Sequence, residues 1–163
     1  MGREDQIIDA RIKKVEDLRK AGIDPYPNKY EFKNNASELQ DKYKKLKKES
    51  KTKNKVSVAG RIMIKRDLGK ISFATLQDST GKIQLVSQDG ETPDKQFEFF
   101  KKYLDAGDFV GVEGVVIRTK TNELSILIKN IELLTKSILP LPEKYHGLVD
   151  DEEKFRKRYL DIL

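Results

Sequence analysis

Apolar and polar residues alternate along the middle of the chain, and the alternation predicts strands. Val56, Val58, Ile62 and Ile64 alternate with Ser57, Arg61, Met63 and Lys65, the pattern of a half-buried strand. Asp67-Leu68-Gly69 reads as a three-residue hairpin loop closed by glycine. That loop sets Lys65 opposite Ile71, Met63 opposite Phe73 and Arg61 opposite Thr75, with Ile64 facing the core. A second hairpin turns through Asp78-Ser79-Thr80-Gly81 and pairs Gln77 with Lys82, Thr75 with Gln84, and Phe73 with Val86. The expected inner face carries Ile62, Ala74, Leu76, Ile83 and Leu85. The expected outer face carries a row of Arg61, Thr75 and Gln84 beside a row of Met63, Phe73 and Val86.

The period then changes. Thr92 to Leu104 places Phe97, Phe100 and Leu104 along one side of a helix, with Pro93 in its first turn and Gly107 past its end. Two further strands follow, Phe109 to Arg118 and Glu123 to Leu134, joined by Thr119-Lys120-Thr121-Asn122 with Arg118 opposite Glu123. Three strands, a helix, then two strands is the plan of the five-stranded OB-fold barrel, with the helix plugging one end between strands 3 and 4. The fold class is therefore mainly β.

The flanks differ. Arg3 to Ala21 predicts an amphipathic helix with Ile8, Ile12, Val15 and Leu18 on its apolar side, and Gly22 as a left-handed cap before Pro25 and Pro27. A second helix is expected at about Glu38 to Glu49, with Ser37 as its cap. It is crowded with Lys42, Lys44, Lys45, Lys47 and Lys48, and the run continues to Lys55. Such a run is either a solvated face or a surface that tracks phosphates. After Lys136, Pro140 and Pro142 stiffen an extended linker, and a charged helix from Asp150 to Leu163 has no partner for Phe155, Tyr159, Leu160 or Ile162. The expected organisation is a helical, lysine-rich lead-in at 1–53, the barrel at 54–136, and at 137–163 a linker with the start of a domain that is cut short.

Composition narrows the partners. The 163 residues carry a formal charge of +6, which favours polyanions. There is no cysteine and one histidine, His146, so disulfides, thiolate nucleophiles and the usual zinc sites are excluded. No apolar run approaches the roughly 18 residues of a membrane helix, and no signal-peptide core follows Met1. The expectation is a cytoplasmic protein without membrane contact. No phosphate-binding glycine loop, dinucleotide fingerprint or nucleophile–histidine–carboxylate arrangement is present, so no catalytic residue is assigned.

The outer face of the barrel offers chemistry of another kind. Single-stranded nucleic acid is held by aromatic platforms and cations. Phe73 supplies a ring, Gln84 can donate and accept, Arg61 donates, and Glu123 accepts. A uracil edge presents acceptor, donor, acceptor, and reading it requires such a mixture. Phe73 reads equally well as a strand aromatic packed against Met63 and Val86. Arg61 and Gln84, taken singly, read as ordinary surface.

These residues fall within longer matching strings. The chain resembles the N-terminal anticodon-binding part of class II lysyl-tRNA synthetases in LRKAGIDPYP (Leu18 to Pro27), VAGRIMIKRDLGKISFATLQDSTGKIQL (Val58 to Leu85) and KTNELSI (Lys120 to Ile126). LLTKSILPLPEKYHGLVDDEEKFRKRYLDIL (Leu133 to Leu163) extends the likeness to the end. Aspartyl- and asparaginyl-tRNA synthetases share the barrel and an RYLD-like ending, but the PLPEKYHGL segment is more like the lysine enzymes. The resemblance implies that the barrel grips the anticodon loop of lysine tRNA. Phe73 would stack the central uridine, Gln84 and Arg61 would read its edge, and Glu123 would contact a flanking base. It also implies a parent enzyme, lysine–tRNA ligase, that uses ATP and magnesium in a catalytic domain beyond this chain and forms a homodimer. The fragment itself would need no cofactor, would be inactive alone and would not bind DNA. A general single-strand-binding OB domain is the rival reading.

Overall fold

The computed structural model describes residues 2–27 and 30–140. The expected exit helix after Asp150 lies outside them. Helix α1 (Arg3–Lys20) has Glu4 and Asp5 in its first turn and Arg19 and Lys20 in its last, the arrangement that suits a helix dipole. Gly22, at φ 77°, ends it, and the Ile23 amide donates to the Leu18 carbonyl at 2.9 Å. The buried stripe differs from the apolar pattern. Arg11, Val15 and Leu18 are buried, while Ile12 is exposed. Arg11 takes the inward place because its guanidinium donates to the carbonyls of Ser137 (3.4 Å) and Leu139 (3.0 Å).

Helix α2 (Ala36–Lys42) is shorter than expected. Its cap is Asn35, not Ser37: the Asn35 side chain accepts from the Glu38 amide at 2.9 Å. The helix stops at Lys42, the first of the run of like charges. Beyond it Tyr43 is tied to the barrel, its carbonyl accepting from Arg118 at 2.7 Å and its hydroxyl from Asn54 at 2.9 Å. Glu49 takes a positive φ of 58°, and the chain then enters the first strand.

Five strands follow, with one helix among them. They are β1 (Lys51–Asp67), β2 (Ile71–Gln77), β3 (Lys82–Gln88), α3 (Asp94–Tyr103), β4 (Phe109–Arg118) and β5 (Leu124–Thr135). The strands close in the order β1-β2-β3-β5-β4, antiparallel except for the β3–β5 pair. This is the OB-fold barrel expected from the element order. The inner residues Ile62, Ala74, Leu76, Ile83 and Leu85 are all buried. Phe100 and Leu104 of the α3 segment reach the same core from one end.

The second hairpin has the expected register: Gln77 pairs with Lys82, Thr75 with Gln84, and Phe73 with Val86. The first does not. Leu68 donates to Ile71, so the loop is the two residues Gly69-Lys70, with Gly69 at φ 84° in its first central position. Arg61 then stands opposite Gln77, Ile64 opposite Thr75, and Arg66 opposite Phe73.

A β-bulge reconciles this register with the core. Between Ile62 and Ile64 one extra residue, Met63, enters β1. Before the bulge Ile62 is inside at 0% exposure; after it Ile64 is outside at 46%. Lys65 turns inward beneath the barrel and donates to the Leu104 carbonyl at 2.8 Å, with its ammonium 5.2 Å from the Phe100 ring centre. Arg66 turns outward.

The exit from β5 is fixed by a buried knot. The Lys136 ammonium, fully enclosed, donates to Asp105 and Asp108 at 2.6 Å each. Asp105 also accepts from Lys14 of α1 at 2.7 Å, and Asp108 from the Ser137 amide at 2.8 Å. One cluster thereby holds α1, the β4 entry and the chain after β5 together.

Candidate nucleic-acid interface

The outer face of β1, β2 and β3 forms an open cavity of about 510 Å³ with the β4–β5 loop at its rim. Its lining is Ile64, Arg66, Leu68, Phe73, Ala74, Thr75, Lys82, Ile83, Gln84, Thr121 and Glu123. Three of the four residues expected from sequence meet here: Phe73, Gln84 and Glu123.

Phe73 sits mid-β2, half-buried. It rests on a second, smaller apolar cluster outside the barrel core, formed by the buried Val86, Val115 and Leu127 with Ile71 and Ile117 around them. The packing expected for Phe73 is therefore real, and it involves Val86 directly. Met63, expected as the cross-strand neighbour, has been displaced by the bulge. Packing and stacking are compatible: the cluster fixes the ring from one side while the other lines the cavity.

Gln84 is brought beside Ser125 by the parallel β3–β5 pairing. Its Oε1 accepts from the Ser125 hydroxyl at 2.7 Å. Glu123, expected as the first residue of the last strand, lies instead in the loop before β5. Arg118 pairs with Leu124, and the loop takes in Glu123 as well, because Asn122 adopts a φ of 65° and Thr119 donates its amide to the Glu123 carbonyl. The Glu123 carboxylate is exposed and has no hydrogen-bond or ion-pair partner among the described residues.

Arg61 is not part of this lining. It lies on the same outer face but beside Gln77 and Phe109, its guanidinium carbon 4.3 Å from the Phe109 ring centre. Burial pushes its pKa down from the usual value, and Nε and Nη1 are buried without a partner. The arginine that faces Phe73 is Arg66, also without a hydrogen-bond or ion-pair partner among the described residues. The alternation hid it. Three consecutive apolar residues, Ile62-Met63-Ile64, were the available signal, since such a run interrupts strict alternation.

The cavity thus places one fixed ring, one amide, one guanidinium and one carboxylate around a space open to solvent. Among the described residues no cluster of three or more acidic or histidine side chains could hold a metal ion, and no helix is long and apolar enough to cross a membrane.

Comparison with known proteins settles the class of this barrel. Residues 56–134 match the family of OB-fold nucleic acid binding domains that serve as tRNA anticodon-binding domains. The barrel belongs to that family. The chain is 47% identical over 155 residues to a lysine–tRNA ligase of Lactococcus lactis and 44% identical over 161 residues to one of Enterococcus faecalis. It is 44% identical over 156 residues to the chloroplastic/mitochondrial lysine–tRNA ligase of Arabidopsis thaliana. These alignments cover 94%, 98% and 94% of this chain but only 31%, 32% and 26% of the relatives. The chain therefore spans about a third or less of their length.

Proposed function

We propose that this OB domain recognises the anticodon loop of lysine tRNA on behalf of a lysine–tRNA ligase. The observation that carries the reading is the meeting of Phe73, Arg66, Gln84 and Glu123 in one open cavity of an anticodon-binding barrel. A base stacked on Phe73 would gain about 1–3 kcal/mol from the ring. Its edge would then face Gln84 and Arg66, which donate to carbonyl oxygens, the acceptors that uracil presents at both ends of its pairing edge. Glu123, an acceptor only, suits an amino or imino group of a neighbouring base. Arg61, beside Gln77 and outside the cavity lining, would contact the RNA away from the stacked base.

The names of the relatives favour lysine over aspartate or asparagine, and over a general single-strand binder. On this reading the longer protein is a cytoplasmic, homodimeric class II synthetase that joins lysine to tRNA with ATP and magnesium. That chemistry would lie outside the residues of this chain, which would bind tRNA and be inactive alone.

The deciding experiment is binding of the chain to a lysine-anticodon stem-loop and to the same loop with cytidine at the central position. Preference for uridine, lost in Phe73→Ala, is the expected result. Equal and steeply salt-dependent binding of both loops would overturn the reading.

A further inference from the structure

Gln84 can read a base only if its amide is held one way round, because turning it over exchanges a donor for an acceptor. The cavity itself does not hold it. The contact that does comes from behind, from β5. The Ser125 hydroxyl, fully buried, lies 2.7 Å from Gln84 Oε1 and 3.2 Å from the carbonyl of Glu123. A hydroxyl has one hydrogen, and both neighbours are acceptors. The shorter contact takes it, which occupies Oε1 and leaves Nε2, with no protein partner and not buried, available to the cavity.

We propose that Ser125 is a positioning residue that makes Gln84 a donor toward the bound base, and so sets the preference for uracil over cytosine. This rests on the anticodon reading above and deepens it. Uracil offers O4 where cytosine carries an amino group. An amide that presents N–H meets an acceptor in the first case and another donor in the second. Ser125 needs no contact with RNA to act. It lies in strand register with Gln84, which keeps the hydroxyl beside the amide oxygen.

The test compares wild type, Ser125→Ala, Gln84→Ala and the double variant, binding stem-loops with uridine or cytidine at the central position. The uridine-to-cytidine affinity ratio should fall roughly three- to tenfold in Ser125→Ala, and by no further amount when Ser125→Ala is added to Gln84→Ala. Ser125→Cys, similar in volume but a weaker donor, should fall between. The Gln84 side-chain amide resonances should move in Ser125→Ala without RNA, while circular dichroism reports an unchanged fold. A wild-type ratio kept in Ser125→Ala, or additive losses in the double variant, would overturn the role of Ser125 and leave anticodon reading intact. A wild-type chain that binds both loops equally would instead overturn anticodon reading, and this inference with it.

Discussion

Arg66 stands directly opposite Phe73 across the first hairpin, the two side chains sharing the outer wall of the barrel. A ring and an unpaired guanidinium so placed suit a base stacked on one and hydrogen-bonded by the other. Arg66→Ala should weaken binding of the lysine-anticodon stem-loop by about 1.5–3 kcal/mol, as for a hydrogen bond to a charged group. Arg61→Ala should cost less and leave discrimination at the central base unchanged. Equilibrium titrations of the two variants check the order, and a larger loss of discrimination for Arg61→Ala would reverse the assignment.

Phe73 packs on Val86 and its cluster as well as lining the cavity, so truncation has two effects. Phe73→Ala should lose about 1–3 kcal/mol of binding and some thermal stability. Phe73→Leu should keep most of the stability and still lose most of the binding. The pair of variants separates platform from packing, measured by melting curves beside titrations.

The lysine run leaves α2 at Lys42 and does not continue as a helix. Lys44, Lys45, Lys47 and Lys48 are each exposed, and Leu46 between them is partly buried. Replacing these four by glutamine should weaken binding of cognate and altered loops equally and flatten the dependence of log K on log salt. A loss confined to the cognate loop would contradict a phosphate-tracking role.

Lys136 is enclosed between two carboxylates. Lys136→Ala leaves Asp108, itself without exposure, uncompensated, and should destabilise the domain by about 3–5 kcal/mol. Chemical denaturation measures it directly. The same variant should also loosen α1, whose Lys14 shares Asp105 with Lys136.

Acid should release α2 from the barrel. Burial pushes the Asp78 carboxyl up, but hydrogen bonds from the Thr80 hydroxyl and from the Ala36, Thr80 and Gly81 amides outweigh it and hold it below the usual carboxylate value. An acid depressed in the folded state contributes stability that is present above its unfolded pKa, about 3.9, and lost as pH falls through the lower folded value. Melting temperatures of the wild type should therefore drop below about pH 4, and Asp78→Asn should remove part of that slope. An identical slope in the variant would assign the acid sensitivity elsewhere.

The barrel was legible because strands, helix and turns each carry a local signature. Asp78 to Gly81 set the β2–β3 register correctly, and Gly22 capped α1 as expected. What escaped was decided by tertiary contacts. Met63 is an ordinary strand residue in sequence, and only closure against β2 makes it the bulge that turns Ile64 out and Lys65 in. Arg11 looks like a solvent residue until Ser137 and Leu139, far along the chain, offer carbonyls to its guanidinium. Phe73, Gln84 and Glu123 were singled out by alternation, by the β2–β3 register and by the resemblance to lysyl-tRNA synthetases, and the fold brings the three to one cavity. Arg66 was missed because its address depends on one inserted residue.

The parallel pairing of β3 with β5 has a consequence for how the domain comes to exist. Arg66, Phe73, Gln84 and Glu123 belong to three strands and a loop, and only that last seam, Gln84 against Ser125, brings the ends of the set together. A nascent chain, or one that has opened locally, retains single residues but no recognition surface. Loop-closure entropy must be overcome before any of it works. Binding competence and cooperative folding should thus appear in the same kinetic phase, and RNA added during refolding should bind only after the seam has shut.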